Sequence, residues 1–328
     1  MLAPKQTIVN IIFILVSLSL ISYSFTQNWD GGAFKDYENL EDTVKNTQET
    51  YFKSVDYYLL KNSQPHFSLN AVELVTNNNS KKTFFFKPDG HVFLESGEKV
   101  FFKGDRGIYD QKIEKLVLNG AVDVKTGDTQ ANSNQMIYEA LQDRVHLLGE
   151  VKTKMYYPEQ KDWIYLDSEE AFLWPEANRS RFSGNVEGKI KRIRVYEDSL
   201  FFWSHELYLD MNIHKADLYQ DVRMKKNNLH ASSRRGEIFL ENYNKKVKYY
   251  ALYDDVKLTE KVMQGSKPIT RKAFSEKLEG LPSEDRVILT GYPKVYQLGD
   301  VIKGNKIVLR QSTEVVEVDD ANTKFQME

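Results

Sequence analysis

Cysteine is absent from all 328 residues. That excludes disulfides, thiolate metal sites, cysteine nucleophiles and a lipid-modified cysteine anchor. An excess of one charge is missing too, since 45 basic against 47 acidic residues leave a formal net charge of -2. The chain as a whole therefore has no electrostatic reason to take nucleic acid as a partner. Its six histidines, His66, His91, His146, His205, His214 and His230, make no HExxH and no paired ligand spacing, so no metal site is expected. GxSxG, P-loop and GxGxxG motifs are lacking as well, and no cofactor is implied. Neighbouring acids such as Glu169 and Glu170, or Asp254 and Asp255, would point to opposite faces of a strand, which suits no shared acid and base. These absences point to a chain that is not an enzyme.

Long apolar runs are scarce, with one exception. Thr7 to Phe25 carries no charge, and at about 1.5 Å per helical residue it can nearly cross a hydrocarbon core of about 30 Å. It reads as a membrane anchor or a signal peptide. Its length, and the poor cleavage match at Ser22-Tyr23-Ser24, favour an anchor over residues 1–26 with Ile8, Phe13, Leu15, Leu18 and Leu20 in the membrane. Lys5 before the run and Asp30, Asp36 and Glu38 after it favour a cytoplasmic N-terminus. Residues 27–64 follow as a stalk or amphipathic helix, because Leu40, Val44, Tyr51, Val55 and Leu59 fall at mostly helical spacing among charges.

Helical signals almost vanish beyond residue 65, the modest exception being TRKAFSEKLEG near residue 275. A repeat takes their place. Each unit has an aromatic strand, a polar turn, a second alternating strand, and then a glycine or turn residue before valine. RGIYDQKIEKLVLNGAV, QMIYEALQDRVHLLGEV and EAFLWPEANRSRFSGNV are three of them. The punctuating position falls at Gly120, Gly149, Gly184, Gln220, Asp254 and Gly291, at intervals of 29, 35, 36, 34 and 37 residues. Period-two alternation rich in Val, Ile, Tyr and Phe makes each unit a hairpin rather than a helical repeat. Turns such as Asp110-Gln111-Lys112 close the hairpins, and a mid-strand glycine predicts a bulge or bend at the same place in successive units.

One hairpin cannot bury an apolar face, whereas several stacked into facing sheets can. Leu116, Leu118, Val122 and Val124 share one face of their strand, opposite Lys115, Asn119, Ala121 and Asp123. Val145, Leu147 and Val151 repeat the pattern in the next unit, and Val287 and Leu289 in the last. They either fill a core or line an apolar groove. Two basic stretches, Lys189, Lys191, Arg192 and Arg194, then Lys225, Lys226, Arg234 and Arg235, are expected to be charged sheet surface or a contact for lipid phosphates or an acidic partner.

The apolar N-terminal run, the Tyr-Asp and Tyr-Glu strands, the L-x-G-x-V turns and the ending DRVILTGYPKVYQLGDVIKGNKIVLRQSTEVVEVDDA resemble the lipopolysaccharide-transport bridge proteins, the anchored LptC and soluble LptA of the OstA-like family. The ending carries most of the likeness, through Gly291, Pro293, Val295, Gly299, Asp300, Ile302, Gly304 and Ile307. The resemblance implies an all-β fold, an open β-jellyroll of stacked antiparallel hairpins after an N-terminal transmembrane helix. It is either one jellyroll or two modules end to end, over residues 65–200 and 201–328. It also implies lipopolysaccharide acyl chains in the groove, an inner-membrane ABC transporter complex and other bridge jellyrolls as partners by edge-to-edge strand pairing, and an inner-membrane protein with its bulk in the periplasm. Departures are the chain's greater length and the replacement of glycine by Gln220 and Asp254. From another class, a structural β-solenoid or adhesion stalk with a sealed core competes with this reading.

Overall fold

The computed structural model describes residues 49–319, except 62, 158–161, 192–198, 242–246, 265, 312 and 314. The proposed membrane anchor, with Ile8, Phe13, Leu15, Leu18 and Leu20, lies outside the described residues. Within them, no helix is long and apolar enough to cross a membrane.

The described chain is all-β, a single antiparallel sheet of 21 strands, with one 3-10 turn at Pro282–Glu284. It begins with β1 (Glu49–Lys61), β2 (Gln64–Asn77), β3 (Lys82–Phe86), β4 (Asp89–Phe93), β5 (Lys99–Lys103) and β6 (Arg106–Asp110). Ten long strands follow: β7 (Lys115–Thr126), β8 (Thr129–Glu139), β9 (Arg144–Tyr157), β10 (Asp162–Trp174), β11 (Arg179–Lys191), β12 (Leu200–Asp210), β13 (Lys215–Lys226), β14 (Leu229–Leu240), β15 (Val247–Gln264) and β16 (Lys267–Leu281). The chain closes with β17 (Arg286–Thr290), β18 (Lys294–Gln297), β19 (Asp300–Lys303), β20 (Lys306–Arg310) and β21 (Val316–Asp319). From β7 to β16 each strand pairs with its neighbours in sequence. Toward either end the long strands divide in two. β2 pairs with β3 along one half and β4 along the other, and β16 does the same with β17 and β18. The result is a meander of stacked hairpins consistent with a β-jellyroll.

Each long strand is bent at its middle, so its two halves lie on two walls around a common interior. The bend sits where the repeat places it. Gly120, Gly149, Gly184, Gln220, Asp254 and Gly291 all have positive φ, between 62° and 78°. The residue after each is left-handed too: Ala121, Glu150, Asn185, Asp221, Asp255 and Tyr292. The ladder slips at these points, for example between Asn119 and Val122 and between Tyr219 and Val222. Two left-handed residues in succession turn a strand sharply. At Gly184 a Cβ would lie 2.7 Å from the Cβ of Glu169, so glycine there answers both the torsion and the space.

The alternate strands bend by a different device. Ser133, Ser168, Ser204, Ser233 and Ser275 sit beside the bulges on β8, β10, β12, β14 and β16, and each is nearly buried. Each Oγ donates to the backbone carbonyl two residues on, at 2.7 to 3.1 Å. A short hydroxyl satisfies the acceptor that the bend removes from the ladder.

Two sequence expectations are corrected. Residues 49–61, assigned to a stalk or amphipathic helix, form β1; the rest of 27–64 is either in β1–β2 or outside the described residues. Tyr51, Val55 and Leu59 are four residues apart, which is a helical stripe and equally every second inward position of a strand. The TRKAFSEKLEG segment is also strand, within β16, with Arg271, Ala273 and Ser275 buried and Lys272, Phe274 and Glu276 exposed. Its helix-forming lysines and glutamates are overridden by pairing with β15 on one side and β17 and β18 on the other. β11 and β12 stay paired across residue 200, where the two expected modules would meet.

Candidate functional site: the apolar interior and its seam

One apolar core runs from Phe67 to Leu309, and Leu116, Leu118, Val122, Val124, Val145, Leu147, Val151, Val287 and Leu289 all belong to it. None of the nine exposes more than 1% of its surface. Both walls contribute. Val145 and Leu147 precede the bend of β9, and Val151 and Met155 follow it. The strict alternation that points these residues inward comes from the pleat, and the two-residue bulge carries the apolar face around the corner.

The hairpin turns form two rims. One consists of the turns 111–114, 140–143, 175–178 and 211–214. Their last residues, Glu114, Asp143, Asn178 and His214, are left-handed. Successive turns are stitched by backbone bonds from Ala140 to Glu114, Met211 to Asn178 and Leu240 to His214, at 2.9 to 3.2 Å. The opposite rim includes the β4–β5 turn at 94–98 and the two-residue turn Gly127-Asp128.

These rims touch. The Ser96 amide on one rim donates to Glu176 Oε1 on the other at 2.9 Å, and the Ser96 hydroxyl reaches the same oxygen at 3.3 Å. The turn that carries Ser96 is held from beneath by Leu94, a core residue, and closed by the Gly97 amide on the Leu94 carbonyl. Beside this contact the seam widens into a cavity of about 250 Å³, with Glu98 and Gly127 on one side and Trp174, Pro175 and Met211 on the other. Met155 and Leu173 form part of its lining and also belong to the core. Interior side chains thus line a hollow at the seam.

Acidic groups gather there. Burial, with the nearby carboxylates of Glu176 and Glu95, holds the Asp143 carboxyl above its ordinary range, against a lowering bond from the Glu176 backbone. Like charges on the two rims oppose closure and the Ser96 bonds favour it.

A second polar feature closes the C-terminal end. Arg271, fully buried, lies opposite Glu260 in the β15–β16 ladder, with Nη2 2.5 Å from Glu260 Oε2. It also donates to the backbone carbonyls of Thr313 and Arg310, each at 3.1 Å, tying the loop before β21 to the core. No group of metal-ligating side chains is found among the described residues.

Of the singled-out basic residues, Lys189 and Lys191 point outward from β11, Arg235 pairs with Asp254 at 2.7 Å, and Arg192 and Arg194 lie outside the described residues. Sequence reading missed Ser96, Glu176, Met155 and Met211. A contact between turns 80 residues apart leaves no local pattern. The five bend serines do leave one, a serine just before each alternate-strand bulge, that a search on aromatic and glycine positions passes over.

A model of the family "Lipopolysaccharide-assembly, LptC-related" matches residues 10–146, a stretch that ends inside β9. Among solved structures, the chain is similar to LptH, the LptA homologous periplasmic component of the lipopolysaccharide transport device from Pseudomonas aeruginosa. Identity is 16%, the TM-score is 0.35, and the match covers 39% of this chain and 95% of that one. No curated protein matches. The chain thus resembles LptC-related proteins over its first part, and the glycine-rich ending lies beyond the matched residues.

Proposed function

We propose that this chain is a non-enzymatic bridge component of lipopolysaccharide transport, anchored in the inner membrane by residues 1–26 and reaching into the periplasm. Acyl chains would pass between the two walls while the sugars stay in water. The observation that carries the reading is the continuous apolar interior, built from the same bent hairpin over and over, in a chain whose first part matches the LptC-related family. Each CH₂ kept from water is worth about 0.8 kcal/mol, so a conduit needs an unbroken apolar lining and a repeated cross-section supplies one.

In this reading Leu116, Leu118, Val122, Val124, Val145, Leu147 and Val151 line the first part of the path, residues 65–200, and Val287 and Leu289 the second, residues 201–328. Passage requires the walls to part at the seam, because the lining is closed as it stands. Among the described residues β1 and β21 each pair on one side only; their other edges would meet other jellyrolls, and the membrane end would face an ABC transporter complex. The same closure favours a second reading, a structural stalk with a sealed core.

Photo-crosslinking from Leu118, Leu147 and Leu289, with outward Lys125 as control, in cells making lipopolysaccharide separates the two. Lipopolysaccharide adducts at the three inner positions alone support the conduit. No adduct at any of them, with the protein folded and at the membrane, replaces it with the stalk.

A further inference from the structure

Three hollows on the outer face of the sheet meet at one side chain. Trp203 lines a cavity of about 430 Å³ with Tyr165, Phe201 and Lys189, another of about 340 Å³ with Arg223 and Lys257, and a third of about 250 Å³ with Glu187 and His205. None of the nine interior residues takes part in them.

The aromatic rings stand in two ridges. Trp163 and Tyr165 lie nearly parallel on β10, and Phe201 and Trp203 on β12, with interplanar angles of 25° and 14°. Between the ridges runs β11, which carries Glu187, Lys189 and Lys191 outward. The two flanking strands are roughly 9.5 Å apart, two strand spacings, so the floor is a trench with an aromatic wall on either side. Cations surround it. Lys154 sits 3.9 Å over the Trp163 ring and Lys189 4.9 Å over Phe201. Neither Lys189 nor Lys191 has an ion-pair partner among the described residues. Asp167 and Glu187 stand directly opposite each other in the β10–β11 ladder, a like-charge placement that costs stability and invites a ligand that uses both oxygens.

We propose that this outer face binds an anionic saccharide chain, with Trp203 as the central stacking platform, Lys189 and Lys191 on its negative groups, and Asp167 and Glu187 accepting from its hydroxyls. An acidic peptide fits less well. Peptides dock on sheets by extending an edge through backbone bonds, and the backbone of β11 is already paired on both sides. A sugar needs no such bonds, because its C–H faces lie on rings and its hydroxyls bond to side chains. The inference uses no property of the interior, so its failure and that of the transport reading are separable.

The test is calorimetric titration of the full chain in detergent with a phosphorylated oligomannoside free of acyl chains, its dephosphorylated form, and a polyglutamate of similar length. Saturable binding of the phosphorylated sugar is expected, weaker for the dephosphorylated one and weakened by salt. Trp203→Ala should reduce affinity roughly tenfold, as for a buried aromatic anchor. Lys189→Gln with Lys191→Gln should remove most of the salt dependence, and it tests the site independently if Trp203→Ala does not fold. Absence of saturable binding overturns the proposal. So does binding that both variants leave unchanged, or polyglutamate binding as tightly as the sugar.

Discussion

Ser96 and Glu176, 80 residues apart, are joined across the two rims of the sheet by a 2.9 Å hydrogen bond from the Ser96 amide to Glu176 Oε1. The Ser96 hydroxyl reaches the same oxygen at 3.3 Å, so the two bonds form a clasp between the walls. Glu176→Ala removes the acceptor without touching the core. Exchange of the amides at 94–98 should then accelerate at least several-fold, while global stability changes by less than about 1 kcal/mol, the usual scale for an exposed contact. Hydrogen exchange by mass spectrometry reads both, and unchanged protection of 94–98 would show that the clasp does not hold the seam.

Asp143, on the same rim, gives a pH signature. Its carboxyl is raised by burial and by Glu176 and Glu95, so the folded state binds its proton more tightly than the unfolded chain does. The charged form therefore destabilises the fold at neutral pH, and this penalty fades as pH falls through the raised folded value toward the ordinary carboxylate range. Asp143→Asn should raise Tm at pH 7, with solvent screening keeping the gain below about 1 kcal/mol. The difference from wild type should shrink on acidification. Thermal melts at pH 7 and pH 4.5 check the sign, and a gain that grows on acidification contradicts it.

Truncation inside the core measures how completely it is filled. Leu147 is fully buried in the core, so Leu147→Ala should cost about 2–5 kcal/mol by chemical denaturation. A cost under about 1 kcal/mol would mean that the neighbouring wall closes onto the gap.

The bends should be sensitive in two distinct ways. Gly184→Ala meets the Glu169 side chain and a φ of +77°, a combination worth about 1–3 kcal/mol. Ser204→Ala leaves the Glu206 carbonyl without its hydroxyl donor and should cost about 0.5–1.5 kcal/mol. Denaturation midpoints of the two variants, alone and together, give both values and their coupling.

At the C-terminal end, Arg271→Met takes from buried Glu260 its ion-pair cation and from two backbone carbonyls the guanidinium donor. About 3–5 kcal/mol should be lost. Adding Glu260→Leu should restore part of it but not all, since the Arg271 bonds to the carbonyls of Arg310 and Thr313 stay lost. Full recovery in the double variant would remove the carbonyl bonds from the account.

The repeat was legible down to single residues. Gln220 and Asp254 hold the glycine position without being glycine, and both adopt its left-handed backbone. The inward direction of Leu116, Leu118, Val122 and Val124 was legible as well, because side-chain alternation is a local property of the pleat. The β1 segment was misread because a spacing of four fits a helical stripe and a strand face alike, and TRKAFSEKLEG because its helix propensity is weaker than its ladder bonds.

By itself the sequence determined the unit: a hairpin, its bend, and which side chains face inward, since these follow from torsions and alternation over a few residues. Tertiary structure alone decided what the units enclose. Whether two apolar walls meet, which turn clasps which across 80 residues, and how aromatic and basic side chains from β10, β11 and β12 line one trench all depend on distances between segments far apart in the chain. Those distances are set by the accumulated twist and register of the whole stack, and no short stretch of residues encodes them.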